Sequence, residues 1–221
     1  SLDKVGRPIV VATHRRSGTH LTIDTLRRNI PECRPRMLPL ESLHRSYLNL
    51  DRMNKNSEEP ITDGEALRIL GKARRPTIKT HAGPAFGAIA KQHKAFARDL
   101  LDRSDVLHVS RDGKKVMCSL WAWRRSFDPA ADVPFAEFIR QTDGEGRSRP
   151  RAWADHLLRW LDAPGAFHCT FDDLVRKPGE TLGLIAERFG LRLDLADPPI
   201  PPPVTGRYSA WAARLRGDLG S

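Results

Sequence analysis

Two stretches of the chain carry residue types suited to holding an anion. In "VVATHRRSGTHLTIDTLRR" (residues 10–28) an apolar run gives way to Arg15, Arg16, Ser17, Gly18 and Thr19, after which apolar residues return at helical spacing. A strand that feeds a helix through so short a turn leaves the first helical N–H groups unbonded and aimed over the strand end. The hydroxyls of Ser17 and Thr19 add donors, Gly18 removes bulk and Arg16 supplies fixed charge, a cradle for phosphate or a similar oxyanion. The plainer alternative is a capped helix with a basic first turn. The pattern G-x-x-x-x-G-K-[ST] is absent, so this is not the ordinary loop of a nucleoside triphosphatase. The second stretch is "SRDGKKVMCSLWAW" (residues 110–123). Arg111 stands just past an apolar run, and Ser119 follows two helical turns later. A phosphate above that helix would take charged bonds from Arg111 and a hydroxyl bond from Ser119.

Both stretches follow short apolar runs that read as buried strands: 8–13 and 105–110, with two more at 76–80 and 165–170. Segments 17–29, 85–103, 114–126, 149–162 and 178–189 have helical periodicity. Strands alternating with helices predict an α/β fold, a parallel central sheet flanked by helices, with its ligand at the carboxyl ends of the strands. Residues 54–60 and 142–150 read as mobile polar loops. The proline run in 197–206 fits neither helix nor central strand, and reads as an extended linker carrying a short tail back across the domain. No repeat or linker divides the chain, so residues 1–221 form one expected domain.

Composition narrows the partner. The net charge is +10, from 37 Lys and Arg against 27 Asp and Glu, which favours an anionic ligand. Nucleic acid fits less well, because the basic residues gather at strand ends rather than along one recognition helix. Cys33, Cys118 and Cys169 are odd in number and widely spaced. They suggest neither a disulfide framework nor a Cys-x-x-Cys metal pair, and point to a reducing, cytoplasmic setting. The histidines show no metal-ligand spacing, no run approaches the roughly 18 apolar residues of a membrane span, and the N-terminal residues lack signal-peptide features.

Taken together, "THRRSGTHL" and "SRDGKKVMCS" resemble the 5′- and 3′-phosphate segments of sulfotransferases that use 3′-phosphoadenosine 5′-phosphosulfate (PAPS), in order and in separation. The family patterns are approximately T-x-P-[KR]-S-G-T-x-[WL] and R-[ND]-P-x-[DE]-x-x-x-S. "PTIKTHAGP" is similar to the family's strand ending in Lys-Thr-His. "FHCTFDDLVRKPGETLGLIAERFGL" is similar to its Tyr-Glu-Asp-Leu segment and the helix after it, and "TGRYSAWAARL" to a reduced form of the C-terminal segment that closes over the 3′-phosphate. The resemblance spans residues 8 to 215.

The resemblance implies transfer of a sulfuryl group from PAPS to a hydroxyl or amine of a small-molecule acceptor, without a metal. Arg16 would stabilise the leaving phosphate, Lys79 would add charge, and His81 would act as general base. His14 and His20 compete for that last role, with His20 favoured as a donor to the phosphosulfate. Arg15, Arg16, Ser17, Gly18, Thr19, His20, Arg111, Ser119, Phe171 and Arg207 would hold the nucleotide. The chain departs from the patterns at Arg15 and Gly113, where proline is usual, at Arg16 for lysine, at Leu21 for an adenine-stacking tryptophan, and at Phe171 for tyrosine. Trp121, Trp123, Phe86 and Tyr47 are candidates for the acceptor pocket, at least half of them expected in the core instead, as are Trp153 and Trp160. A homodimer is compatible with this reading. The competing readings are a P-loop kinase-like phosphotransferase and a non-catalytic nucleotide-binding relative.

Overall fold

The run Ile9–Thr13 forms strand β1, and every residue of it is buried, as a strand covered on both faces must be. Residues 5–36, 46–53, 60–86, 93–197 and 199–200 are described by the structure, a computed structural model. Around β1 stand β2 (Leu48–Asn49), β3 (Thr77–Thr80), β4 (Asp105–Ser110) and β5 (Phe167–Thr170), in the order β2-β3-β1-β4-β5. All four pairings are parallel. The chain first builds to one side of β1 and then crosses to the other. The strand order therefore reverses beside β1, and in parallel sheets such a reversal marks the carboxyl ends of the flanking strands as the place for a ligand.

Side chains along β1 alternate between two apolar layers. Val10 and Ala12 join Leu70, Ile78, Leu100 and Trp160 on one face, whereas Ile9 and Val11 join Ile23, Leu26, Leu107 and Ile185 on the other. The first layer is covered by α2 (Asp63–Leu70), α3 (Lys94–Arg103) and α6 (Arg149–Leu161). The second is covered by α1 (Thr19–Asn29) and α8 (Pro178–Phe189). A smaller cluster joins α4 (Gly113–Arg124) to α5 (Phe135–Phe138) through Leu120 and Phe138. Helix α7 (Phe171–Arg176) follows β5 directly.

The four expected strands and five expected helices are present, with differences at their edges. Of the helix expected over 85–103 the described part is α3, and position 86 lies outside it: Phe86 adopts φ 49 and its N–H closes a turn onto the carbonyl of Gly83. Its ring is buried against Trp160, with centroids 6.4 Å apart, and that packing holds a backbone conformation costly for a bulky residue. Strand β5 is half-buried rather than fully covered, since it is the edge of the sheet. The polar segment 142–150, expected to be mobile, is a closed turn. Asp143 accepts bonds from the N–H groups of Glu145 and Arg147 and from the Arg147 guanidinium, and α6 already starts at Arg149. After α8 the chain runs back without helix or strand and is tied to the end of α1, where Asn29 accepts from Asp194 N and Ala196 N at 2.8 and 2.9 Å. The other expected loop lies at 54–59 outside the described residues, as does most of the proline segment.

Candidate active site

The loop from β1 to α1 folds as a concave nest. Arg16 and Gly18 both have positive φ, 68 and 96, which turns successive N–H groups toward one side. No side chain caps α1. Ser17, only 1 % exposed, points an Oγ inward that has no partner. A buried, unpartnered hydroxyl at a helix start that no side chain caps is what an oxyanion would satisfy. Gly18 is required twice over. A side chain at its φ is strained, and a Cβ there would stand 2.3 Å from the ring of Phe171.

The second anion segment meets the first. Arg111 donates through Nη1 to the carbonyl of Arg16 at 2.9 Å, while Arg16 donates through Nε to Ser119 Oγ at 3.1 Å. The Arg111 guanidinium lies 4.6 Å over the Phe171 ring, and its Nε is buried without a partner. Phe171 thus packs under Gly18 and under Arg111 at once, so the change from tyrosine keeps the surface that joins the two segments. Burial and then the charge of Arg111 lower the affinity of the Arg16 guanidinium for its proton, although an arginine stays charged. Two adjacent cations held close in this way favour an anion between them.

Gly113 opens α4 where the family pattern has proline. The ring of Trp153 on α6 fills the space beside it, 2.9 Å from where a Cβ would be. Helix α6 therefore packs closely on α4. Trp153 is half-buried by that contact, and Trp160 is buried under the sheet with its Nε1 bonded to the carbonyl of Ala82.

At the end of β3, the backbone N–H of His81 donates to Asp51 and its Nδ1 donates to the carbonyl of Thr13 at 2.9 Å. That second bond fixes the tautomer and leaves Nε2 with the lone pair. Burial, ahead of the charges of Lys79 and Arg15, pushes the His81 imidazole down to about 4, against the opposing pull of Asp51. Lys79 is likewise lowered by burial and by Arg15. Arg15 is exposed, yet its charge acts on His14, Lys79 and His81 alike, so it belongs with His81, whereas Arg16 reaches to Ser119.

The remaining expectations divide. Thr19 is buried, its Oγ1 2.6 Å from Thr13 Oγ1, so this hydroxyl already has a partner. His20 is turned to Tyr47, Nε2 to hydroxyl 3.1 Å. Tyr47 and Phe86 are core residues, and Trp121 is anchored by its Nε1 to the carbonyl of Val133. Trp123 alone of the four acceptor candidates is exposed, with Arg16 5.7 Å over its ring. Arg207 lies outside the described residues. Sequence reasoning missed Asp51 and His156. The latter packs against His14 and His108, with ring centroids 5.6 and 5.9 Å away, and its Nε2 is buried without a partner. Nothing in the local pattern marked either residue, because both arrive from distant elements.

Among the described residues no group of three or more His, Cys, Asp or Glu is placed to hold a metal, no helix is long and apolar enough to cross a membrane, and the three cysteines are free.

No family model and no curated protein matches the chain by sequence. Solved structures do match. A sulfotransferase from Alicyclobacillus acidocaldarius superposes with a TM-score of 0.56 at 14% identity, over 97% of this chain and 96% of that one. The mouse sulfotransferase SULT7A1 complexed with PAP, the desulfated donor, gives 0.53 at 16% identity, over 97% of this chain and 66% of that one. Retinol dehydratase in complex with retinol and PAP gives 0.55 at 16% identity, over 86% and 62%. The chain thus spans less than two thirds of the length of these last two proteins. At such identities the likeness speaks for architecture, and with the parallel sheet and the loop after β1 it establishes that this chain has the sulfotransferase fold.

Proposed function

We propose that the protein is a PAPS-dependent sulfotransferase acting on a hydroxyl or amine of a small-molecule acceptor. The observation that carries this reading is the meeting of the two anion segments, with Ser17 Oγ and Arg111 Nε buried and unpartnered between them. A nucleotide with phosphates at both 5′ and 3′ positions needs two such sites at a fixed separation. The 5′-phosphosulfate would lie on the nest of residues 15–19, and the 3′-phosphate between Arg111 and Ser119.

In the transfer, a bond forms from the acceptor oxygen or nitrogen to sulfur while the bond from sulfur to the 5′-phosphate oxygen breaks. The electron pair leaves with PAP, and the acceptor proton passes to Nε2 of His81. Arg15 and Lys79 neutralise charge near the sulfuryl group, and Arg16 bridges toward the 3′ side until a ligand competes for it. Burial keeps His81 unprotonated at neutral pH, as a base must be. The exposed ring of Trp123 beside Arg16 offers the acceptor an apolar contact.

The test has two arms. PAP should raise the melting temperature, whereas ATP with magnesium should do so far less, since a ligand at a hundredfold excess over its Kd stabilises by about 2.7 kcal/mol. Labelled PAPS offered with mixed phenols, alcohols, amines and sugars should then yield a labelled product. A melting temperature unmoved by PAP would sink the reading.

A further inference from the structure

We propose that Asp51 is the positioning residue of this site, holding the end of β3 so that His81 and Lys79 face the transferred group. The inference rests on the reading of His81 as the base. Asp51 lies in the 3₁₀ turn Leu50–Met53 that follows β2. The parallel register pairs Leu48 with Ile78 and Asn49 with Lys79, and two further steps along both strands bring Asp51 beside His81. Pairing with β2 has ended by then, so on that side the backbone at the end of β3 has no strand to bond. The Asp51 carboxylate replaces one. Both of its oxygens accept the His81 N–H, at 3.1 and 3.2 Å, and Oδ1 also accepts the hydroxyl of Thr80 at 3.1 Å. Thr80 Oγ1 in turn accepts the N–H of Ala82 at 3.0 Å. Three consecutive residues at the exit of β3 therefore hang on one side chain.

The same carboxylate balances charge. His81 is faced by Lys79 from its own strand, Arg15 from the loop after β1 and His156 from α6, with the carbonyl of Thr13 bonded to its Nδ1. Asp51 is the anion acting on both His81 and Lys79. Its bonds to the backbone of His81 and to Thr80 leave it to act through His81. It orients the imidazole against Thr13 and eases the arrival of a proton.

The test uses Asp51→Asn, which keeps size and one acceptor oxygen, Asp51→Glu, which keeps charge, and Asp51→Ala. Three readouts are taken: amide exchange at His81, the upper limb of the His81 titration by NMR in the unliganded protein, and steady-state transfer. Asp51→Ala should speed exchange at His81 and leave the amides of β1 and β4 protected. Asp51→Asn should lower the His81 titration midpoint and cut kcat about tenfold to a hundredfold, the effect of losing a charged acceptor, with the KM for donor little changed. Asp51→Glu should recover part of both. Unchanged exchange and titration in the variants would overturn the proposal. So would a loss of PAP affinity matching the loss of turnover, which would mark a general packing role. If His81→Ala retains turnover while Asp51→Asn still shifts the titration, the base assignment fails and the positioning of His81 by Asp51 stands.

Discussion

Arg16 donates to Ser119 across 103 residues of chain, Nε to Oγ 3.1 Å. This bond couples the two segments proposed to bind the nucleotide, so the contributions of their side chains to its affinity should be interdependent. Arg111→Ala should weaken PAP binding most, by the roughly 1.5–3 kcal/mol of a charged hydrogen bond, and Ser119→Ala by about 1 kcal/mol. Arg16→Ala and Ser119→Ala combined should cost more than the sum of the two single changes, since each alone already relieves binding of the bridge that a ligand must break. Calorimetry with PAP, and with an analogue lacking the 3′-phosphate, checks this. Equal losses for both ligands would point to a damaged fold rather than a lost phosphate contact.

Gly113 and Trp153 supply a second test. The first position of a helix accepts proline readily, so the family's proline would suit the backbone at 113. The obstacle is the indole, 2.9 Å from where a Cβ would stand. Gly113→Ala should therefore destabilise the protein by about 1–3 kcal/mol through overpacking, although alanine is normally the better helix former. Pairing it with Trp153→Leu should recover most of that loss. Denaturant midpoints of the single and double variants settle the matter, and independence of the two changes would refute the contact.

Most of the fold could be read in the chain because its strands are short unbroken apolar runs and its helices strongly periodic. What escaped is informative. Strand β2 has two residues and no pattern of its own, so it exists only by pairing with β3. Helix α2 did carry a local sign: Thr62 caps it by accepting from Glu65 N, and a threonine followed three residues later by a glutamate is a known helix start. At the candidate site, local pattern singled out Ser17, Gly18, Arg111 and Ser119, and the fold brings the two segments that carry them together. It did not single out those that act across elements. Asp51 reaches His81 only because β2 lies next to β3, and His156 reaches His14 only because α6 crosses the sheet end.

The pH profile of His81 departs from the value near 6.5 that a solvated histidine would suggest. Burial takes the free enzyme's imidazole to about 4, so the acidic limb of kcat/KM should fall there. A donor bound as proposed would add negative charge beside Arg15 and Lys79 and make protonation of His81 easier. The limb of kcat, which reports the complex, should accordingly lie above that of kcat/KM. His81→Ala should retain PAP affinity, lose the limb and lose about 10²–10⁴-fold in turnover. A mutant with full turnover on an un-ionised acceptor would move the role to His14 or His20.

Acid stability follows from the histidines grouped behind the site. His108 bonds His168 through their Nδ1 atoms, 3.2 Å apart, stacks on Trp160 and neighbours His156, which in turn neighbours His14. Burial, with the charges of neighbouring histidines, takes His108 to about 4 and His156 to about 3; burial also lowers His14, where Arg15 adds to it, and His168. Each folded value lies below the unfolded one, so between the two the unfolded chain binds more protons. Stability is then complete above the unfolded value of 6.5 and lost as pH falls from 6.5 toward 4. For His108 alone that shift corresponds to about 3 kcal/mol, enough to lower the melting temperature by many degrees. His156→Leu removes a buried nitrogen without a partner but also the ring's bond to the backbone of Ala82, so it should change stability at neutral pH little while flattening the acid slope. Melting scans across the window, with Trp160 fluorescence reporting the ring stacked on His108, measure both effects. A wild-type melting temperature that stays level from neutral pH down to that of acetate buffer would mean these histidines protonate without cost, contrary to their burial.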